Sequence, residues 1–354
     1  MNIALQTSEN DFLLKVQRIA SLRSPVVLTE RIGGGGNNRI FKVQCGDGKC
    51  YCVKFYFFSL QDQRDRLGTE YGALKFIYEQ GIHDVPQPVL IDRTQMMGIY
   101  EWIDGGKITP DSVTADDVGL AADFLGRLEA LSRHPEAGQF NSASEGCFGA
   151  QDIIGHIEKK LQKFQSCPDT TVEFKRLKIY LKQDFLPLFK EVLAWGRGHF
   201  RDAGFDQGLG ANLRTLSPSD FGFHNALREG GGRIKFLDFE YFGWDDPAKM
   251  IVDFTFHPAM NLNFELKQDF YKRILAVFKH DSSLTSRVAC YYPLLGLKWC
   301  LILLNEFLKD DLKRRQFAMA DIKDTVTIQQ LQLKKAVDLL LQVKSSYKEF
   351  PYGT

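Results

Sequence analysis

Residues 216–240 contain three side chains whose oxygens could bind a metal ion and accept a proton. Asp220 and Asn225 are separated by four residues, and Asp238 follows a glycine-rich turn after a short apolar segment. Mg²⁺ prefers oxygen ligands and is usually held by one or two carboxylates, waters and substrate phosphates. We therefore expect Asn225 and Asp238 to bind Mg²⁺, and Asp220 to orient a hydroxyl and accept its proton.

Each of these acids alone would more often be a helix cap or part of an ion pair. A serine hydrolase is not indicated, because the sequence contains no Gly-x-Ser-x-Gly nucleophile elbow. His224 is a possible ligand, but its position next to Phe223 is more typical of a packed, hydrogen-bonded histidine. These three side chains therefore indicate a reaction only in combination with further motifs elsewhere in the sequence.

A glycine-rich turn within a strand–loop–strand pattern is the first addition. Its residues are Gly33, Gly34, Gly35 and Gly36, followed by Asn37 and Asn38. Glycine lets backbone N–H groups approach phosphate oxygens without a Cβ clash. No Gly-Lys-Ser/Thr follows, so this is not a Walker A loop, and alone it is more typical of a plain flexible turn.

Lys54 and Glu70 strengthen the nucleotide interpretation. Lys54 lies on an apolar strand, where a lysine could simply extend to water or could instead contact phosphates. Glu70 falls within the apolar stripe of a helix predicted from about Leu60 to Gln80. A carboxylate on a buried face needs a cationic partner. We expect that partner to be Lys54, as in kinase-like folds.

These features predict an α+β fold with two lobes. About five antiparallel strands and one key helix precede residue 103, and the remainder is mostly helical. We place the lobes at residues 1–103 and 104–354, with a flexible polar break at Asp104–Lys107. The backbone that would hydrogen-bond an adenine edge belongs to Tyr100, Glu101, Trp102 and Ile103.

Composition narrows the partners and the compartment. The 354 residues include 45 basic and 44 acidic side chains, so neither nucleic acid nor an anionic membrane is an expected partner. Seven cysteines and a polar N-terminal segment predict reduced thiols in the cytoplasm. The apolar segment Tyr291–Leu308 is interrupted by polar residues, which favours a buried helix over a membrane span. No pattern indicates an oligomeric state.

Taken together, the glycine-rich turn, Lys54, Glu70, the Asp220–Asn225 pair and Leu237-Asp238-Phe239-Glu240 resemble the aminoglycoside phosphotransferase and choline kinase family. This family is a small-molecule branch of the protein-kinase-like fold, and the resemblance spans about residues 26–310. It implies that Lys54 binds the α- and β-phosphates, that Asp220 is the catalytic base, and that Asn225 and Asp238 hold Mg²⁺. One departure is Pro218, where the family usually has a supporting histidine.

The expected activity is transfer of the γ-phosphate of ATP or GTP to a hydroxyl of a small molecule, such as an amino alcohol, a sugar or an aminoglycoside. Glu240, Trp244 and Asp245 are candidate acceptor ligands, because acidic and aromatic side chains attract cationic or sugar-like groups. A nucleotide-binding pseudoenzyme is the alternative. A protein kinase is less favoured, because the segment from Asp238 to Pro247 is too short for an ordinary activation loop.

Overall fold

The computed structural model describes residue 15 and residues 24–33, 37–59, 62, 64–167, 170–200, 205–318 and 324–352. Its fold is α+β, with an antiparallel sheet near the N-terminus and helices through most of the remainder, which confirms the predicted class. The predicted lobes divide the chain at one point, whereas the structure has two compact units of three segments each. Unit 1 takes in the described parts of residues 1–107, 225–242 and 313–323, and unit 2 those of 108–224, 243–312 and 324–354.

Unit 1 is built on a five-stranded antiparallel sheet of order β1-β2-β3-β5-β4. Alternate residues of its strands point to one face, where aromatic and β-branched side chains such as Phe41, Val43 and Val53 are fully buried. The turn between the second and third strands closes at Gly48, whose φ of +83° favours glycine. The strands are β1 (Val26–Ile32), β2 (Arg39–Cys45), β3 (Cys50–Phe55), β4 (Pro88–Asp92) and β5 (Met97–Glu101).

One helix, α1 (Arg66–Glu79), packs on this sheet. It begins later than predicted, because the Asp65 carboxylate accepts a hydrogen bond from the Gly68 N–H and so caps the first turn. The predicted end is confirmed, with Gly81 just beyond the helix at a φ of +80°. Glu70 is on the buried face, which explains how a carboxylate reaches the interior of unit 1.

A second sheet of unit 1 has the order β6-β8-β9 and contains β6 (Gly105–Lys107), β8 (Ala226–Glu229) and β9 (Ile234–Phe236). Gly105–Lys107 are therefore a paired strand where the sequence suggests a flexible break, and the first segment of unit 1 ends at Lys107. Gly105 pairs closely with β8, since even a Cβ there would lie only 3.0 Å from the Arg228 carbonyl oxygen. The predicted hairpin is confirmed by the pairing of Ala226 with Phe236.

Unit 2 is mostly helical, with a two-stranded sheet of β7 (Thr215–Ser217) and β10 (Gly243–Asp245). A π-helical turn at Leu181–Phe185 joins two helices that the sequence predicts as one. The helices that lie wholly in unit 2 are α2 (Ala115–Leu131), α3 (Ala150–Gln165), α4 (Val172–Tyr180), α5 (Leu186–His199), α6 (Pro247–Phe256), α7 (Phe264–Val277), α8 (Leu284–Ile302) and α10 (Thr325–Ser346). Helix α9 (Lys309–Ala318) precedes α10 in the chain, and its residues are divided between the two units.

Helix α8 is long and apolar enough to cross a membrane, as judged by length and composition within the described chain. Its most apolar window is 72% buried inside the protein, in contact with α3, α6 and α10. The prediction of a buried helix is therefore confirmed. All seven cysteines are free thiols, as the sequence indicates.

A buried ion-pair network holds the start of α6. Asp246 caps this helix by accepting a hydrogen bond from the Ala248 N–H at 2.8 Å. The Arg287 guanidinium donates to both oxygens of Asp246 at 2.9 Å and to Asp281 at 2.6 and 3.1 Å. Both carboxylates are almost completely buried.

We expect Arg287→Met to lower the free energy of unfolding by about 3–5 kcal/mol, because it leaves two buried carboxylates without their cation. The matched control is Arg273→Met, which removes a half-exposed pair with Asp269 and should cost less than about 1 kcal/mol. Urea unfolding followed by circular dichroism measures both variants. Equal losses for the two variants would contradict this account.

Candidate active site

The centre of the candidate site in unit 1 is the ammonium of Lys54. Its Nζ lies 2.6 Å from Glu70 Oε2 and 2.6 Å from Asp238 Oδ1, and the side chain is almost completely buried. Tyr56 donates its hydroxyl to the same Glu70 oxygen at 2.6 Å. The predicted pairing of Lys54 with Glu70 is confirmed, and Asp238 joins it through the β8–β9 hairpin.

Negative charge exceeds positive charge around Lys54. Oxygens of Glu70, Asp238 and Glu240 all lie within 4.8 Å of one another, and the Nε of a second cation, Arg66, is 3.8 Å from Glu240. Burial, together with the carboxylates of Glu240 and Glu70, raises the pKa of Asp238 despite the Lys54 ammonium. Burial alone would lower the pKa of Lys54, but Asp238 and Glu70 outweigh it and raise that pKa well above its ordinary value.

This charge balance fits a divalent cation. Asn225 immediately precedes β8 and Asp238 follows β9, and the Leu237 N–H donates to the Asn225 carbonyl at 2.8 Å. The hairpin therefore brings both predicted metal ligands to one end. Their amide and carboxylate oxygens are the donors that Mg²⁺ prefers. Asp238 has a φ of +66°, a conformation that aspartate tolerates better than most residues.

Glu240 anchors the glycine-rich turn. Asn37 Nδ2 donates to its Oε1 at 2.8 Å and Asn38 Nδ2 to its Oε2 at 2.7 Å. Gly33 is exposed, while Gly34, Gly35 and Gly36 lie outside the described residues. The carboxylate is buried and committed to the protein's own amides. The prediction that Glu240 binds the acceptor therefore finds no support in its contacts, and it instead connects the turn to Asp238.

The predicted adenine-binding backbone is only partly available. Tyr100 lies inside β5, between β3 and β4, and the Glu101 N–H donates to the Gln87 carbonyl at 2.8 Å. The backbone groups of Tyr100 and Glu101 are therefore already used in pairing within unit 1. The sheet ends at Glu101, so Trp102 and Ile103 are the residues whose backbone could meet a nucleotide base.

Asp220 lies in unit 2, in a tightly constrained loop after β7. Its N–H donates to the Pro218 carbonyl at 2.9 Å across Ser219, which has a φ of +67°. This narrow turn is an uncommon and strained backbone conformation for a residue other than glycine. On the far side of Asp220, Phe221 is buried between Phe124 and Phe254 at centroid distances of 5.8 and 6.1 Å. The loop is thus fixed from both ends.

Two histidines contact the Asp220 carboxylate. The Nε2 atoms of His224 and His257 lie 3.1 and 3.3 Å from Asp220 Oδ1, and the two rings stack at a centroid distance of 3.7 Å. Burial alone would raise the pKa of Asp220, but hydrogen bonds from His224 and His257 lower it well below its ordinary range. Asp220 is therefore an ionised hydrogen-bond acceptor at neutral pH.

The other two predicted acceptor ligands have structural contacts in unit 2. The Asp245 carboxylate is fully buried and accepts hydrogen bonds from the Cys147 and Asp246 N–H groups and from Lys249. Trp244 donates its indole N–H to the Ala137 carbonyl at 3.2 Å. These contacts leave Asp245 inaccessible to a soluble acceptor and occupy the polar atom of Trp244.

Sequence reasoning missed His257. It lies at the end of α6, far from Asp220 along the chain, and no short motif connects the two residues. The carboxylate of the nearby Asp253 accepts the Trp299 indole N–H at 2.9 Å and pairs with Lys249 at 2.8 Å.

Comparisons with known proteins give the family model that part of the chain matches and the solved structures that share its fold. Residues 29–182 match the phosphotransferase enzyme family (APH). Choline kinase LicA from Streptococcus pneumoniae has a similar structure, with a TM-score of 0.60 and 17% identity, covering 95% of this chain and 100% of that chain. Spectinomycin phosphotransferase APH(9)-Ia, solved with ADP and spectinomycin, has a TM-score of 0.61 and 10% identity, covering 91% of this chain and 95% of that chain.

A third similar structure is an ethanolamine kinase from Plasmodium vivax, with a TM-score of 0.57 and 16% identity, covering 89% of this chain and 84% of that chain. No curated protein matches the sequence. The predicted family resemblance and the kinase-like fold are confirmed, and at these identities the structural similarity speaks for the fold alone.

We expect Glu70→Gln to weaken binding of ADP by about 10- to 100-fold, because a charge-assisted hydrogen bond of about 1.5–3 kcal/mol that holds Lys54 is lost. Glu79→Gln is the matched control, since Glu79 is on the same helix but exposed and paired only with Lys75. Isothermal titration calorimetry with ADP measures both variants. Wild-type affinity in Glu70→Gln would show that this pair does not organise the site.

Proposed function

We propose that this chain, whose residues 29–182 match the phosphotransferase enzyme family, moves the γ-phosphoryl group of ATP or GTP to a hydroxyl of a small molecule. An amino alcohol, a sugar or an aminoglycoside is the class of acceptor. The observation that carries the proposal is the buried Lys54 ammonium held at 2.6 Å by both Glu70 and Asp238. A cation fixed by two carboxylates is suited to bind phosphate oxygens.

In the proposed reaction the bond from the γ-phosphorus to the bridging oxygen breaks and a bond to the acceptor oxygen forms. The acceptor proton passes to the Asp220 carboxylate, and the nucleoside diphosphate leaves. The two histidine contacts make Asp220 a weak base, so its main contribution is to orient the hydroxyl. This is compatible with the loose transition state of phosphoryl transfer, which needs positioning more than strong base catalysis.

Asn225 and Asp238 are the residues that would hold Mg²⁺. When bound, the ion would neutralise charge on the phosphate oxygens. The excess of carboxylates around Lys54 supports this assignment, because a divalent cation would offset their mutual repulsion. The backbone of Trp102 and Ile103 is proposed to contact the base.

A nucleotide-binding pseudoenzyme is the second candidate, and Pro218 is the observation that favours it. A protein kinase is less favoured, because only a short segment separates Asp238 from α6. We propose a cytoplasmic location from the seven free cysteines.

We expect Asp220→Asn to lower kcat by at least about 100-fold while leaving ATP affinity within about twofold, because the neutral amide loses the charged hydrogen bond that orients the acceptor hydroxyl and cannot take its proton. A coupled assay of nucleotide turnover against amino alcohols, sugars and aminoglycosides identifies the acceptor. Asp220→Asn is then measured with it, and EDTA serves as the metal-free control.

Asp269→Asn is the matched variant, because Asp269 lies on the surface of the same unit. Undiminished turnover in Asp220→Asn would refute the assigned base. Binding of ATP without turnover on any acceptor would favour the pseudoenzyme.

A further inference from the structure

We propose that His257 is a positioning residue for Asp220 and supplies, from the end of α6, the support that Pro218 cannot give. This inference rests on the proposed function, because it assigns a role around the proposed base. Proline at position 218 has no side-chain donor and no backbone N–H. The histidines that contact Asp220 are instead His224, in the same loop, and His257, at the end of α6.

The contact geometry is that of a donor pair converging on one oxygen. His257 Nε2 lies 3.3 Å and His224 Nε2 3.1 Å from Asp220 Oδ1. The rings are nearly parallel, with an interplanar angle of 8°. The two ring nitrogens are therefore placed to donate to the same carboxylate oxygen.

The protonated nitrogen of His257 is fixed by its other contact. The Ala259 N–H donates to His257 Nδ1 at 3.3 Å, so Nδ1 acts as an acceptor and the proton resides on Nε2. In the neutral ring, Nε2–H then points to Asp220. Burial lowers the pKa of His257, which also favours the neutral form.

Neighbouring groups hold the His257 ring in place. The Trp299 indole packs edge-on against it at a centroid distance of 4.7 Å. Trp299 is in turn fixed by its hydrogen bond to Asp253, and Asp253 by Lys249, whose side chain is buried. The His257 N–H donates to the Asp253 carbonyl at 2.9 Å. The ring is therefore restrained by α6 and α8, outside the loop that carries Asp220.

The two histidines therefore hold Asp220 from different parts of the structure. His224 belongs to the same loop as Asp220 and moves with it. His257 belongs to α6, so its hydrogen bond ties the loop to a helix packed in the core. Losing the His257 donor should leave the fold intact but allow the Asp220 carboxylate to rotate away from its orientation.

The test compares His257→Leu with His257→Gln, because glutamine can place a side-chain N–H near the position of Nε2 whereas leucine cannot. We expect His257→Leu to lower kcat by about 10- to 100-fold, with KM for ATP within about twofold, since one charge-assisted hydrogen bond is lost. His257→Gln should recover kcat to within about fivefold of wild type. His280→Leu, at a half-exposed histidine near Glu129, is the control.

Wild-type kcat in His257→Leu would overturn the inference. So would equal losses in the leucine and glutamine variants together with a lowered melting temperature, which would indicate a purely structural role. A ¹⁵N NMR spectrum of the histidine side chains provides a readout that needs no turnover. It should show His257 as the Nε2–H tautomer, with a shift that changes in Asp220→Asn.

If the wild-type protein turns over no acceptor, the proposed function fails and the NMR result alone decides the inference. An Asp220-dependent Nε2–H signal would support the positioning contact, and an Nδ1–H tautomer would overturn it.

Discussion

The ammonium of Lys54 is the charge on which the proposed nucleotide site in unit 1 depends. Three carboxylates approach one another closely in the interior of unit 1, and without a cation their burial would be strongly unfavourable. Lys54 joins β3, α1 and the end of the β8–β9 hairpin through two short ion pairs. Glu240 extends this network to the glycine-rich turn through Asn37 and Asn38. One buried lysine thereby couples the conformations of four segments of the chain.

The proposed catalytic loop in unit 2 depends on a different constraint, the fixed conformation of the backbone around Asp220. Phe221 is clamped between aromatic rings, and Ser219 holds a φ of +67°. Such strain persists only where the surroundings over-determine the backbone. His257 adds a contact from α6 to the Asp220 carboxylate. We propose that this contact orients the ionised carboxylate in a loop that has Pro218 in place of the usual histidine.

Much of this could be read from the sequence where the signal is local. The five strands, the buried face of α1 and the Lys54–Glu70 pair follow from periodicity and from the cost of burying an unpaired carboxylate. The hairpin carrying Asn225 and Asp238 follows from apolar segments around a glycine turn. The cap at Asp246 follows from the proline after it.

The roles of several side chains could not be predicted from the sequence, because they depend on contacts between distant segments. Glu240 looked like an exposed acid that could bind an acceptor, but its position after Asp238 places it against Asn37 and Asn38. Asp245 looked similar, but the chain buries it against Lys249. His257 had no motif at all. In each case the role is set by a neighbour that only tertiary packing provides.

The central claim, that the Lys54 ammonium organises the phosphate site, is tested most directly by the affinity of Lys54→Met for Mg–ATP. Calorimetry should show binding weakened by at least about 10- to 100-fold in a protein that remains folded by circular dichroism, because a charge-assisted contact is lost. Lys49→Met, at an exposed lysine beyond the hairpin turn, should bind like wild type. Equal affinity for Mg–ATP in the two variants would contradict the account.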